Sequence, residues 1–203
     1  HVIYTTNDYT NLFDVPETYR LQELAETNTY ELTQNTYNAV SAFSIHHLLT
    51  DFTAAAVIAY ETAANGTLQK RLIEDVRIIY LNNDLVTPLP LLQIDTLGFT
   101  SQTYKLAFTP SLVTSLYGTK VTNQMLTDAK YVQADGINWW MASGRNMYLT
   151  GIETAVNAKQ RFYLTEASKD PFDIETKLFY DNYHLILTKT IDALQNTASV
   201  ETL

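Results

Sequence analysis

The sequence predicts a mainly β protein, built of antiparallel strands with a few short helices. Three observations carry that prediction. First, two stretches near the C-terminus read as tandem copies of one unit. One runs Tyr163-Leu164, Asp170-Pro171-Phe172, Thr176-Lys177-Leu178; the other runs Leu185-Ile186, Asp192-Ala193-Leu194, Ala198-Ser199-Val200, with Tyr180-Asp181 between them. Asp170 and Asp192 stand 22 residues apart. Strand, Asp-led turn and strand at a short period mark a repeated β-hairpin. Such units bury apolar surface only by stacking on neighbours, which suits a structural wall better than an enzyme. Second, threonine is plentiful and there are 14 tyrosines, residue types that favour pleated, half-buried surfaces. Third, two segments alternate with a period of two, 26–33 and 68–81, as strands do.

Taken in order, 2–6 reads as a short strand, with turn residues at Asn7-Asp8 and Asn11. In 26–33, Thr27, Thr29, Glu31 and Thr33 alternate with Asn28, Tyr30 and Leu32, as in a strand open on one side. Ser44 fits a helix cap over 44–52, where Ile45, Leu48, Leu49 and Phe52 fall on one face. A strand is expected over 54–60, then a tight turn at Asn65-Gly66. The strand over 68–81 places Leu72, Glu74, Val76, Ile78 and Tyr80 on one face, and Arg71, Ile73, Asp75, Arg77 and Ile79 on the other. Asn82-Asn83-Asp84 and Pro88-Leu89-Pro90 mark a loop, followed by a strand over 103–108. Thr109 caps a helix over 110–117 that starts on Pro110 and ends at Gly118; Thr122 caps another over 122–129. Tyr131-Val132, Asn138 to Met141 and the Ser143-Gly144 turn lead to strands over 160–166, 174–180 and 184–190. No Pro/Gly/Ser-rich linker divides the chain. It therefore reads as a single segment, with a helix-containing part over 1–158 and repeats over 159–203.

Composition excludes several function classes. Apolar content is 46% and charged content 17%, the latter below the roughly 25% average. The net charge of −9 and the lack of any basic stripe in the sequence argue against a nucleic-acid partner, whose phosphates need Lys and Arg. Without cysteine there is no disulfide framework, thiolate metal site or cysteine nucleophile. The longest apolar run, Ala54 to Tyr60, falls far short of the ~20 residues of a membrane span, so no direct membrane insertion is expected. His1-Val2-Ile3-Tyr4 reads as strand and not as a signal peptide, as though the chain opens in mid-structure.

Chemistry-bearing residues are few. His46 and His47 are adjacent and cannot share a helix face, so no metal site and no cofactor is expected. Asp170, Asp181 and Asp192 suit turn-initiating side chains that accept backbone N–H bonds better than acid–base catalysis. Trp139 and Trp140 could stack a sugar, but adjacent residues of a strand point to opposite faces, and packing is the stronger expectation. Arg145, after Ser143-Gly144, could pair with a carboxylate and pin that turn. There is no Gly-x-Gly and no Gly-x-Ser-x-Gly, so no dinucleotide fingerprint and no nucleophile elbow.

The same residues carry a resemblance. Lys70-Arg71-Leu72-Ile73-Glu74, Val76-Arg77, Asn83-Asp84-Leu85, Pro88-Leu89-Pro90-Leu91, Tyr104 to Pro110, Trp139-Trp140, Ser143-Gly144-Arg145, Asp170-Pro171-Phe172, Tyr180-Asp181 and Asp192-Ala193-Leu194 occur in order along nearly the whole chain. This set resembles the B component of bacterial Tc (toxin complex) insecticidal toxins, in the region of its RHS or Tyr-Asp (YD) repeats. The resemblance implies long antiparallel strands spiralling into a hollow shell around a toxic C-terminal effector. It implies a secreted virulence protein, partnered by the flanking repeat shell of the same or a partner subunit, by the encapsulated effector and by other Tc components. The self-cleaving aspartates of such toxins lie outside the matched stretch, so no catalytic residue is implied. Two turns depart from the family pattern: Asp173-Ile174 stands for Gly-Asn, and Gln195 stands for Gly. Glycine supplies positive φ there and Gln adopts it poorly, which predicts a reshaped or frayed turn after Asp192. Two other readings compete with the non-catalytic shell segment. One is a surface- or glycan-binding β module using exposed Trp and Tyr; the other is a glycosidase using a carboxylate pair.

Overall fold

The computed structural model describes residues 2–15, 17–33 and 45–200. Among them, 14 strands and four short helices make the protein mainly β. Contacts divide the chain into two compact units, each assembled from three separate stretches. Unit 1 comprises 1–8, 26–77 and 105–141; unit 2 comprises 9–25, 78–104 and 142–203.

A seven-stranded sheet supplies most of unit 1. Its strands are β1 (Val2–Tyr9), β4 (Leu24–Leu32), β6 (Gln69–Tyr80), β7 (Thr100–Phe108), β9 (Trp139–Ala142) and β8 (Tyr131–Val132), in that order, with β5 (Ala56–Ile58) pairing parallel to the start of β6. β1, β4, β6, β7 and β9 carry residues of both units. The expected strand over 54–60 shrinks to β5, because helix α1 (Ile45–Ala54) continues past the predicted end at 52. Ser44 and His1 lie outside the described residues, as do the side chains of His46 and His47.

The alternation expected along 68–81 is broken. A bulge between Thr29 and Tyr30 pairs Glu74 with Thr29 but Leu72 with Tyr30, leaving Ile73 as the extra residue. Leu72 and Lys70 therefore join the Asp75/Arg77 face, and Lys70 Nζ sits 4.1 Å from the Phe52 ring centre. Sequence periodicity cannot reveal a one-residue slip of this kind.

Two helices follow β7 in unit 1. In α2 (Pro110–Tyr117) the Thr109 hydroxyl accepts from Leu112 N–H at 3.1 Å, and Gly118 closes the helix at φ 58. In α3 (Asn123–Asp128) the Thr122 hydroxyl accepts from Met125 N–H at 3.3 Å. These caps satisfy amides that have no partner inside the helix. Val113, Leu126 and Trp139 form the core beneath them, edged by Phe108, Val121 and Tyr131.

Unit 2 holds the hairpin β2 (Phe13–Val15) and β3 (Thr18–Arg20) and the five-stranded antiparallel sheet β10 (Arg145–Met147), β11 (Ala167–Lys169), β12 (Glu175–Tyr180), β13 (Leu187–Ile191) and β14 (Thr197–Ser199). Residues 160–166 are not the expected strand. Helix α4 (Ala155–Gln160) ends there, and Phe162 and Tyr163 turn at φ 57 and 56. The Asn157 carboxamide oxygen accepts from the Thr154 backbone N–H at 2.9 Å and starts α4, while Tyr163 packs against Phe99 in the core of Leu81, Leu85, Tyr148 and Ala158. Tertiary burial of Tyr163 overrides its strand preference.

Candidate functional site

The sheet of unit 2 is a meander in which an aspartate opens each turn. Asp170, Asp181 and Asp192 recur every 11 residues. In the first turn the Asp170 carboxylate accepts from Phe172 N–H at 2.8 Å and Ile174 N–H at 2.9 Å. In the third, Asp192 accepts from Leu194 N–H at 2.9 Å and Asn196 N–H at 2.8 Å. The backbone closes alike in both: Asp173 N–H to Asp170 O and Gln195 N–H to Asp192 O, each 3.0 Å. The middle turn is one residue longer. Asp181 accepts from Leu185 N–H at 2.7 Å and Ile186 N–H at 3.0 Å, and a bulge at Phe179/Tyr180 absorbs the difference. These bonds favour the charged form. The Ile186 and Leu185 amides hold the Asp181 carboxyl below its ordinary value, and the Asn196 side chain and amide do the same for Asp192.

The fourth residue of each turn takes positive φ without glycine: Asp173 at 64, His184 at 55 and Gln195 at 67. The turn after Asp192 is thus neither reshaped nor frayed, contrary to the expectation from Gln195. An added bond from Asn196 Nδ2 to Asp192 Oδ2, 2.8 Å, supports the backbone that Gln195 alone favours poorly. Pro171, Phe172, Ala193 and Leu194 form the turn tips, where Phe172 and Leu194 are well exposed. Tyr180 reaches inward, donating its hydroxyl to Thr165 O at 2.9 Å. Arg145 pairs with Asp173 across the first turn. Gly144 is fixed by space, since a Cβ there would meet Lys169 O at 2.8 Å.

Trp139 and Trp140 are both buried, at 5% and 0% exposure, so neither offers a stacking face to a sugar. Trp139 belongs to the core under α2 and α3. Trp140 carries the Arg77 guanidinium 4.1 Å from its ring centre, a cation–π arrangement. Arg77 in turn pairs with Glu26 at 2.6 Å and lies 3.5 Å from Asp75. Asp75 is 5% exposed, and its carboxyl is pushed up to about 7. Burial is the main cause; Arg77 opposes it, and the Glu26 and Asp135 carboxyls add to it. Sequence reasoning missed this cluster. Its signal was an Asp and an Arg two apart in one strand, a spacing that puts both on one face.

Other chemistry is sparse. A cleft of about 520 Å³ in unit 1 is mostly apolar, lined by Val57 to Tyr60, Leu72, Ile73, Leu106, Ala107 and Leu112, with Glu74 as its only charge. Asp75 is not among its lining residues, so its perturbed carboxyl has no substrate space there. Among the described residues, no three His, Asp or Glu side chains group as metal ligands, and no helix is long and apolar enough to cross a membrane.

Comparison with known proteins finds the fold and nothing closer. No protein-family model matches the chain. No curated protein matches. Solved structures do. The TcdB2-TccC3-TEV crystal structure superposes at a TM-score of 0.70 and 15% identity, over 98% of this chain and 9% of that one. The TcdB2-TccC3-Cdc42 crystal structure superposes at 0.60 and 14% identity, over 98% of this chain and 10% of that one. The chain shares its fold with a stretch of those proteins and spans about a tenth of their length.

Proposed function

We propose that this chain is a non-catalytic structural segment of a secreted Tc-type toxin, forming part of the wall of a hollow RHS/YD-repeat shell that encloses a toxic effector. The observation that carries the reading is the five-stranded meander with its Asp-led turns every 11 residues. Each hairpin buries little by itself, and such units gain stability by adding neighbours. β14 is hydrogen-bonded along one edge by β13, and its three residues are exposed, so a further strand has an edge to pair with. The fold shared with TcdB2-TccC3 chains supports the same reading. The flanking repeats, the effector and further Tc components are its proposed partners. A glycan-binding module loses its main residues, because both tryptophans are buried.

The test is electron microscopy of the full parent polypeptide with its partner subunit, joined to protease protection of any C-terminal effector. The reading requires a closed hollow particle with residues 145–199 in its wall and an effector that is cut only after the particle is opened. A solid particle, or an effector cut at once in the intact assembly, would overturn it.

A further inference from the structure

One face of the five-stranded sheet is basic in an otherwise acidic chain. The register sets Arg145 opposite Lys169, Lys169 opposite Glu175, and Lys177 opposite Ile191. Phe179 lies opposite Lys189 and Lys189 opposite Ser199. Directly paired residues share a face, so four of the chain's 13 basic residues stand here with Glu175 as the single acidic residue in those strand rows. The contacts agree. Glu175 lies 3.6 Å from Lys169 and 3.8 Å from Lys177, and Lys189 sits over the Phe179 ring at 4.5 Å. Arg145 uses Asp173 of the neighbouring turn. A cleft of about 290 Å³ on this face is lined by Lys177, Phe179 and Ile191 together with Glu175, whose carboxylate the two lysines share. Asp192 also lines it, but its oxygens are taken by the Leu194 and Asn196 amides and the Asn196 side chain.

We propose that this face is a docking surface for an acidic, extended polypeptide segment. Charge complementarity selects the partner. Two lysines share one carboxylate, and Lys189 forms no salt bridge among the described residues, so a carboxylate-bearing chain finds cations only partly neutralised. Spacing fits as well. Neighbouring strands lie about 4.8 Å apart, and alternate residues of an extended peptide about 7 Å apart, so successive Asp or Glu side chains can reach successive lysines. Phe179 and Ile191 between the cations offer apolar contact to the intervening side chains. The inference does not depend on the shell reading, since the face would bind such a segment whatever the parent assembly.

Fluorescence anisotropy with a labelled poly-glutamate of about 20 residues tests it at low salt and again near 1 M NaCl, where the screening length is about 3 Å. The wild-type chain should bind at low salt and release at high salt. Lys177→Gln with Lys189→Gln should weaken binding about tenfold, roughly threefold per charge. Lys120→Gln with Lys130→Gln, the same charge change elsewhere, should not. Glu175→Gln should tighten binding by releasing both of its lysines, and it decides alone if the double variant fails to fold. No binding by the wild type, equal losses in the two double variants, or no gain in Glu175→Gln would overturn the proposal. Binding of oligo-thymidylate as tight as that of poly-glutamate would overturn it too, by making the face a general polyanion surface.

Discussion

Asp75 should make the protein more stable in mild acid than at neutral pH. Its side chain is 6% exposed on β6, and its nearest cation, Arg77, is engaged more closely by Glu26, at 2.6 Å against 3.5 Å. The Asp75 carboxyl, ordinarily at 3.8, moves to about 7. At 1.36 kcal/mol per tenfold change in affinity, the full displacement corresponds to roughly 4 kcal/mol. Solvent reaching the partly exposed Arg77 and Glu26 screens this, and about 2 kcal/mol is the working figure. The sign follows from proton uptake. Between about pH 4 and 7 the folded state holds a proton that the unfolded state has released, so stability falls as pH rises through that window. The carboxyls held low act in the opposite sense. Asp84, Asp135, Glu153, Asp181 and Asp192 are all shifted down, by hydrogen bonds that outweigh burial. Their contribution is lost only as pH falls through their lowered values, below about 4. Stability should therefore peak near pH 4 and decline by about 2 kcal/mol in all toward pH 8. Asp75→Asn keeps the shape, removes the buried charge and leaves Arg77 its bond to Glu26. Urea denaturation from pH 4 to pH 8 should give a flatter profile for the variant than for wild type, and the variant should exceed wild type by about 2 kcal/mol at pH 8. Parallel profiles for the two proteins would refute the argument, as would a variant weaker than wild type at pH 8, because Asp75 would then be an ordinary ionised partner of Arg77.

Other outcomes follow from the same geometry. Trp140→Ala should cost about 3–5 kcal/mol in denaturant unfolding, since the indole is fully buried and Arg77 loses its stacking face. Gln195→Gly should raise the melting temperature slightly, because about 1–2 kcal/mol of left-handed strain outweighs about 0.5–1 kcal/mol of added chain entropy. Asp173→Gly should gain less, since it also gives up the pair with Arg145. Asp170→Ala removes the acceptor for two turn amides and should cost about 1 kcal/mol, by analogy with a lost helix cap, with faster amide exchange at Phe172 and Ile174 as the local readout. Gly144→Ala should destabilise through contact with Lys169 O, a backbone atom that cannot rotate away.

What the sequence determined by itself is what local chemistry controls. Strand-favouring residues set β4 and β6, Thr109-Pro110 and Thr122 set the starts of α2 and α3, and Asn65-Gly66 marked a bend with Gly66 at φ 84, though not a hairpin turn, since β5 and β6 pair parallel. Each of these is specified by a few residues close in the chain, so each survives reading without neighbours. Tertiary structure decided the rest. The bulge opposite Tyr30 moved Leu72 to the face of Asp75, because register belongs to a pair of strands and not to either one. Residues 160–166 became a helix end and a turn, because Tyr163 is held against Phe99 from 64 residues earlier. The Gln195 turn kept its shape because the strands on either side fix its ends and Asn196 adds a bond. Asp75 and Arg77 share β6, but Glu26 comes from β4 and Trp140 from β9, both far away in sequence. The cluster exists only where the fold removes them together from water, and burial is the first cause of its perturbed carboxyl.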